Sequence, residues 1–408
     1  MKRPFHLLAK PTGATCNLDC TYCFFLSKDA LYPAGSTKMR DDTLEAYVTQ
    51  LIDAQPDGEV NVAWQGGEPT LMGVEFFRRA LTLAERSKRP AQNLVHSIQT
   101  NGTLLDAEWL GLFSEHRVLV GLSIDGPADV HDRFRVTKNG SPTHARVEQA
   151  WFDLRRADIE TNVLCSLSAA NVDLPLDVYR YFRDTLSAEH VQFIPIVERA
   201  DPLTLELAER GWSDVPGRRR ILYRQEGNVV TSRSITGRQY GDFLVTVYDE
   251  WLRHDVGRVF VQLFDVTLGS HLGIHTLCVH SPTCGDALAL EHNGDVYSCD
   301  HYVEPDHLLG NLHDTPLRRL VDDPRQVAFG QHKSSSLPRM CRECDVRFAC
   351  HGGCPKDRFA TTPDGEAGLN HLCEGYQTFF RHSGPGMRRM AELVASGRYA
   401  DEIMNDRR

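Results

Sequence analysis

Three of the twelve cysteines in this 408-residue chain fall between residues 16 and 23, and eight more lie between 278 and 373. Only Cys165 stands alone. A fold for this chain must therefore gather thiols at two separate stations. In a secreted mini-protein so many cysteines would indicate disulfides; in a reducing compartment they indicate metal or cluster ligation. The N-terminus, Met1-Lys2-Arg3-Pro4-Phe5, leads straight into a strand-like stretch with no apolar h-region and no small-residue cleavage site. That is not a signal peptide, so a cytoplasmic location is expected. No apolar run approaches the ~18 residues needed to span a bilayer, which excludes a transmembrane protein. A net charge of -10 argues against general nucleic-acid binding, which depends on neutralising phosphates. With 41% hydrophobic and 25% charged residues the chain has the composition of a soluble globular protein. At ~150 residues per domain, two or three units are expected.

Strand-like runs over 6–9, 60–64, 94–98, 118–124, 162–167 and 191–196 alternate with helical stretches near 42–54, 74–88, 106–114, 143–156 and 174–186. Such alternation predicts an α/β fold with parallel strands and right-handed crossovers. Six βα units are visible where a complete barrel needs eight. A partial, open (β/α)6 TIM-like barrel fits this count, with a doubly wound sheet as the alternative. The stretch 198–240 breaks the rhythm and reads as an insertion or linker. A helix follows over 240–254, then a hairpin of 287–291 and 295–298 about an Asn293-Gly294 turn, Asn-Gly being a strong hairpin signal. The cysteine-rich remainder reads as loop to about residue 373, and a last helix as 377–396. The expected division is 1–235 for the barrel, 236–380 for the cysteine-rich domain with its hairpin and short helices, and 381–408 for a C-terminal helix.

Chemistry in parallel α/β folds gathers at the carboxyl ends of the strands. Here those ends carry Cys16–Cys23, Gln65-Gly66-Gly67-Glu68, Gln99-Thr100-Asn101-Gly102, Ser123-Ile124-Asp125 and Pro195. The first has the spacing C-x3-C-x2-C. Three thiolates on a four-iron cube leave one iron open to a small molecule, whereas a four-cysteine zinc site is closed. Placed after a first strand, with Tyr22 before the third cysteine, this motif resembles the radical S-adenosylmethionine (SAM) superfamily. The resemblance implies that Cys16, Cys20 and Cys23 hold a [4Fe–4S] cluster. It further implies that Gln65-Gly66-Gly67-Glu68 is the family's GGE motif, with Glu68 pairing with the SAM ammonium. Ser123 and Asp125 resemble its contacts to the ribose and methionine moiety, and Arg135 its contact to the carboxylate. Taken singly, each could be an ordinary turn residue or surface charge.

The later spacing is Cys278-x5-Cys284-x14-Cys299, then Cys341-x2-Cys344-x5-Cys350-x3-Cys354-x18-Cys373. Eight thiolates suffice for two four-cysteine clusters, or for two zinc sites. The region resembles the SPASM domain of peptide-modifying radical SAM enzymes. By that resemblance Cys278, Cys284, Cys299 and Cys354 hold one auxiliary [4Fe–4S] cluster, and Cys341, Cys344, Cys350 and Cys373 the other. Cys165, in an apolar strand-like run, reads as a buried inert thiol.

Within the superfamily the chain most resembles the anaerobic sulfatase-maturating enzymes. The match is carried by residues 16–25, 64–70, 99–104, 123–127, 192–195, 294–300 and 350–354. It implies oxidation of a Cys or Ser of a sulfatase to Cα-formylglycine. Cleavage of SAM would give a 5′-deoxyadenosyl radical that takes a hydrogen from Cβ, and the remaining electron would pass to the auxiliary clusters. The implied base is Asp300, next to Cys299; a loop-capping carboxylate is its plainer role. The implied partners are a polypeptide substrate and a low-potential electron donor such as flavodoxin or ferredoxin, with no nucleic acid and no membrane. One departure stands out: the family often has Tyr where this chain has Phe25. The alternative keeps the radical chemistry but makes a crosslink or other modification in a ribosomally made precursor peptide. Many such enzymes carry a leader-binding domain for which no room is seen before Cys16. A zinc-stapled binding module without catalysis is the third possibility.

Overall fold

The computed structural model describes residues 3–405 apart from 34, 36 and 214–219. All six expected strands form: β1 (His6–Lys10), β2 (Gly58–Trp64), β3 (Gln92–Thr100), β4 (Leu119–Ser123), β5 (Thr161–Leu167) and β6 (His190–Pro195). They alternate with α1 (Asp41–Ala54), α2 (Val74–Ser87), α3 (Ala107–His116), α4 (His144–Arg156) and α5 (Pro175–Arg180), the last continuing as a π-turn over Tyr181–Thr185. The reasons are local. Val60, Val62 and Trp64 of β2 are buried at a period of two, while Val74, Phe77, Ala80, Leu81 and Ala84 of α2 are buried at helical spacing. Asp106 caps α3 by accepting from the backbone N–H groups of Glu108 and Trp109.

Downstream come α6 (Gly237–His254), β7 (Phe260–Val261), α7 (Gln262–His271), β8 (Ala287–Glu291), β9 (Asp295–Tyr297), β10 (Leu308–Asn311), α8 (Pro324–Ser335) and α9 (Cys373–Ala395). One open sheet runs through both halves in the order β10-β9-β8-β1-β2-β3-β4-β5-β6-β7. From β8 to β7 every pairing is parallel, and β9 and β10 add antiparallel strands at one edge. The order never reverses between β1 and β6, which sets aside the doubly wound alternative and leaves the partial barrel. The hairpin is not a separate layer, since β8 lies beside β1 with Lys10 opposite Glu291.

Two expectations need correction. The stretch read as loop up to residue 373 contains β10 and α8. Helix α8 buries Gln326, Gly330 and Lys333, a polar face with no apolar stripe, so hydrophobic periodicity does not reveal it. The last helix begins at Cys373, a turn before its expected start. It packs on α6 with the backbones nearly touching: a Cβ on Gly375 would lie 2.2 Å from the Gly237 carbonyl oxygen. The 198–240 stretch folds as a two-residue strand pair (199–200 with 229–230), a short helix over Leu205–Glu209 and a small core of Ala200, Ala208, Trp212 and Tyr223. Part of it, 214–219, lies outside the described residues, as do positions 406–408 of the expected C-terminal helix. Among the described residues no helix is long and apolar enough to cross a membrane.

Candidate active site

The three-cysteine loop leaves β1 and is fastened on two sides. Asp19 and Thr21 donate backbone N–H groups to Val136 and Phe134. On the other side Gly67 N–H bonds the Gly13 carbonyl and Glu68 N–H that of Thr15. This contact admits no side chain, because a Cβ on Gly67 would sit 2.1 Å from the Thr15 oxygen. Asn101 then links the loops, donating to Asn17 (2.9 Å) and towards the Cys16 sulfur (3.8 Å), while Asn17 donates to Thr103. Cys16, Cys20 and Cys23 lie within electrostatic reach of one another. Burial pushes the Cys20 thiol up to about 12 despite the nearby Arg135, so thiolate formation there needs a bound cation.

The residues implied as SAM contacts surround this loop. Tyr22 OH donates to Asp125 Oδ2 (2.5 Å), which also accepts from Arg135 Nε (2.8 Å), and Asp125 Oδ1 accepts from Ser166 N–H (2.9 Å). All three side chains are buried. Ser123 Oγ accepts from Gln99 (2.9 Å). Gln65 Oε1 is buried with no partner among the described residues, an acceptor left over for a ligand. Glu68 has partners that the motif does not announce. It is fully buried, and its carboxylate already accepts from Thr70 N–H, Thr70 Oγ1, Thr100 Oγ1 and Asn101 N–H. Its evident work is to tie the Gly66-Gly67 turn to the loop after β3. Burial outweighs those donors and raises its carboxyl above the usual range.

The eight later cysteines separate into two groups. Cys341, Cys344, Cys350 and Cys373 line one small cavity with Met340, Asn370 and Gln377. A space ringed by four sulfurs suits a multi-iron cube. Cys278, Cys299 and Cys354 act electrostatically on one another, and Cys278 on Cys284. Burial pushes Cys350 and Cys354 up to about 12. Among the described residues no three His, Cys, Asp or Glu side chains gather closely enough to hold a single metal ion. Cys165 is fully buried on β5.

Between the two stations lies a cavity of about 330 Å³. Tyr22 and Phe24 line it beside the first loop; Cys278, Cys354 and His301 line it beside the second; β6 and its continuation, Ile194–Val197, form an apolar wall. The 198–240 stretch contributes Tyr223 and Gln225. Tyr223 is held by Lys28 Nζ on its carbonyl (2.6 Å) and by Ser27 Oγ on its N–H (3.1 Å). Asp300 forms an ion pair with Lys10, whose ammonium also lies 3.6 Å from the centroid of the Phe25 ring. Burial opposes ionisation of Asp300, but Lys10 and His301 outweigh it and hold the carboxyl below its usual range. Sequence reasoning missed Lys10. The available signal was a lysine ending an apolar strand just ahead of the cysteine loop.

Comparisons with known proteins agree with this geometry. The radical SAM superfamily pattern matches residues 11–168, and that of the SPASM iron-sulfur cluster-binding domain residues 282–345. A serine-type anaerobic sulfatase-maturating enzyme of Bacteroides thetaiotaomicron is 38% identical over 405 residues, spanning 98% of this chain and 95% of the relative. A cysteine-type enzyme of Clostridium perfringens is 31% identical over 395 residues, spanning 96% and 99%. Among solved structures, native anSMEcpe with bound AdoMet and a peptide superposes with a TM-score of 0.80 at 30% identity, covering 96% of this chain and 99% of that one. Streptococcus suis SuiB with its precursor peptide, at 15% identity and a TM-score of 0.59, shares the fold alone. The chain is thus a radical SAM enzyme and belongs to the family of anaerobic sulfatase-maturating enzymes.

Proposed function

We propose that this chain oxidises a Cys or Ser of a sulfatase-type polypeptide to Cα-formylglycine, using SAM and three [4Fe–4S] clusters. The observation that carries the reading is likeness to sulfatase-maturating enzymes along the whole chain. Cys16, Cys20 and Cys23 would hold the cluster with the open iron. Cys278, Cys284, Cys299 and Cys354 would hold one auxiliary cluster, and Cys341, Cys344, Cys350 and Cys373 the other. Once bound and reduced, this cofactor set supplies a 5′-deoxyadenosyl radical able to take hydrogen from an unactivated Cβ, which no side chain can do.

The chain's own residues do the rest. Gln65 offers its unpartnered carbonyl, and Gly66 and Gly67 their close backbone, to SAM. Tyr22, Ser123, Asp125 and Arg135 shape the opposite side, and Glu68 braces the turn from behind. The apolar wall at Ile194–Val197 keeps water from the reacting Cβ. Asp300 accepts the proton lost from the target side chain, and Lys10 keeps it ionised for that task. Residues up to 235 are assigned to the radical unit and those from 236 to the auxiliary-cluster unit, with α9 running unbroken past 380 into the stretch expected as a separate C-terminal helix. A low-potential carrier of the flavodoxin or ferredoxin class delivers the electron. Anaerobic incubation with SAM, reductant and a peptide containing Cys/Ser-x-Pro-x-Arg should yield an aldehyde by mass spectrometry. SAM cleavage with that peptide unchanged would sink the substrate assignment.

A further inference from the structure

Two cations lie among the C-terminal cysteines, one buried and one half-buried, and among the described residues every hydrogen-bond acceptor they use is a neutral carbonyl. Lys333, on α8, is fully buried. Its Nζ donates to the carbonyls of Cys278, Val279 (2.9 Å) and Ser281 (2.5 Å). Arg358 donates through Nε to Gly352 O (2.9 Å), through Nη2 to His351 O (2.9 Å) and Gly353 O (3.2 Å), and through Nη1 to Lys333 O (2.5 Å). The two cations are therefore linked. Lys333 grips the segment carrying Cys278. Arg358 grips the loop Cys350-His351-Gly352-Gly353-Cys354, whose two cysteines belong to different quartets.

Lys356 offers a control within the same fold. It also lies near Cys354 and Cys299, but it is bonded to the Asp357 carboxylate at 2.6 Å and so is balanced. Lys333 and Arg358 have carbonyl dipoles instead, which offset only part of the cost of burying a charge. The acidic groups that reach them most strongly are thiols, negative once they ligate iron: Cys284, Cys278 and Cys354 for Lys333, and Cys341, Cys354, Cys350 and Cys284 for Arg358. A cube held by four thiolates is a net anion and becomes more negative when it gains an electron. Fixed positive charge beside it stabilises the reduced state more than the oxidised one.

We propose that Lys333 and Arg358 are the built-in counter-cations of the two auxiliary clusters, favouring their reduction, with Arg358 serving both. This rests on the reading that both quartets hold [4Fe–4S] clusters. The two residues position charge and touch no substrate.

The test uses the full chain with Cys16, Cys20 and Cys23 replaced by Ala, reconstituted anoxically so that only the auxiliary sites are loaded. Iron and sulfide are measured, and midpoint potentials are read by redox titration followed by electron paramagnetic resonance. Arg358→Gln should move both potentials to more negative values, and Lys333→Gln chiefly that of the Cys278 quartet. Arg358→Lys keeps the charge but loses the fork, and should stay near the parent. Fully loaded Gln variants with unmoved potentials overturn the proposal. So does Arg358→Lys shifting as far as Arg358→Gln, since the carbonyl grip and not the charge would then be responsible. If Arg358→Gln fails to retain iron while Arg358→Lys retains it, charge is what holds the cluster and the proposal stands; loss in both overturns it. A parent that binds no iron at these sites refutes the cluster reading itself, a failure distinct from the rest.

Discussion

The loop of Cys16, Cys20 and Cys23 and the region of eight cysteines each gather thiols, but by different means. The first is stitched by backbone hydrogen bonds and small amides: Asp19 to Val136, Gly67 to Gly13, Asn101 to Asn17. Its buried cation is balanced, Arg135 by Asp125, and an acceptor on Gln65 is left over. The second is held by Lys333 and Arg358, which have no carboxylate partner among the described residues and clamp the carbonyls of the cysteine loops. A station that balances its own charges and keeps a spare polar group is suited to admitting a small molecule. One whose surplus charge faces sulfur is suited to a permanently ligated anion.

This contrast can be broken in several ways. The largest expected effect comes from replacing Cys16, Cys20 and Cys23 together by Ala. Deoxyadenosine release should vanish and iron content should fall by about one third, from three cubes to two. Equal loss of iron from all sites would deny that the stations are independent. Next, Asp300→Asn should lower aldehyde formation by on the order of 10²-fold or more while SAM cleavage persists. An unchanged aldehyde yield would remove Asp300 from the chemistry. Lys10→Met leaves a mostly buried carboxylate without its partner. With Asp300 still 23% exposed, the cost should be about 3 kcal/mol, at the low end for a broken buried pair, measured by urea unfolding. Gly67→Ala forces a methyl into the Thr15 carbonyl and should cost about 1–3 kcal/mol with weakened SAM binding, checked by calorimetry. The smallest effect is expected from Thr236→Ala, which removes the capping box of α6 for about 1 kcal/mol and should leave SAM cleavage unchanged.

How much of this was readable beforehand follows the same contrast. Strands such as β2 and helices such as α2 bury apolar residues at periods of two and 3.6, so their positions were legible within a few residues. The cysteine spacings were legible too, because ligand geometry constrains them locally. Helix α8 was not, since Gln326, Gly330 and Lys333 turn inward against Gly285, Ser298 and the Cys278 segment, and polar burial leaves no periodic signature. Nor was the pairing of Lys10 with Asp300, which depends on β8 lying beside β1 across about two thirds of the chain. The bracing bonds of Glu68 are hidden in the sequence for a related reason. Its partners Thr100 and Asn101 come from the end of the next strand and the residue after it.

The central claim is that a radical generated at the first station takes hydrogen directly from a polypeptide side chain held in the cavity between the two. It is tested most directly with a Cys/Ser-x-Pro-x-Arg peptide carrying deuterium at the target Cβ, incubated anoxically with reconstituted protein, SAM and reductant. Deuterated 5′-deoxyadenosine should accumulate together with the peptide aldehyde. Aldehyde formed alongside unlabelled deoxyadenosine, or no deoxyadenosine at all from fully loaded protein, would contradict it.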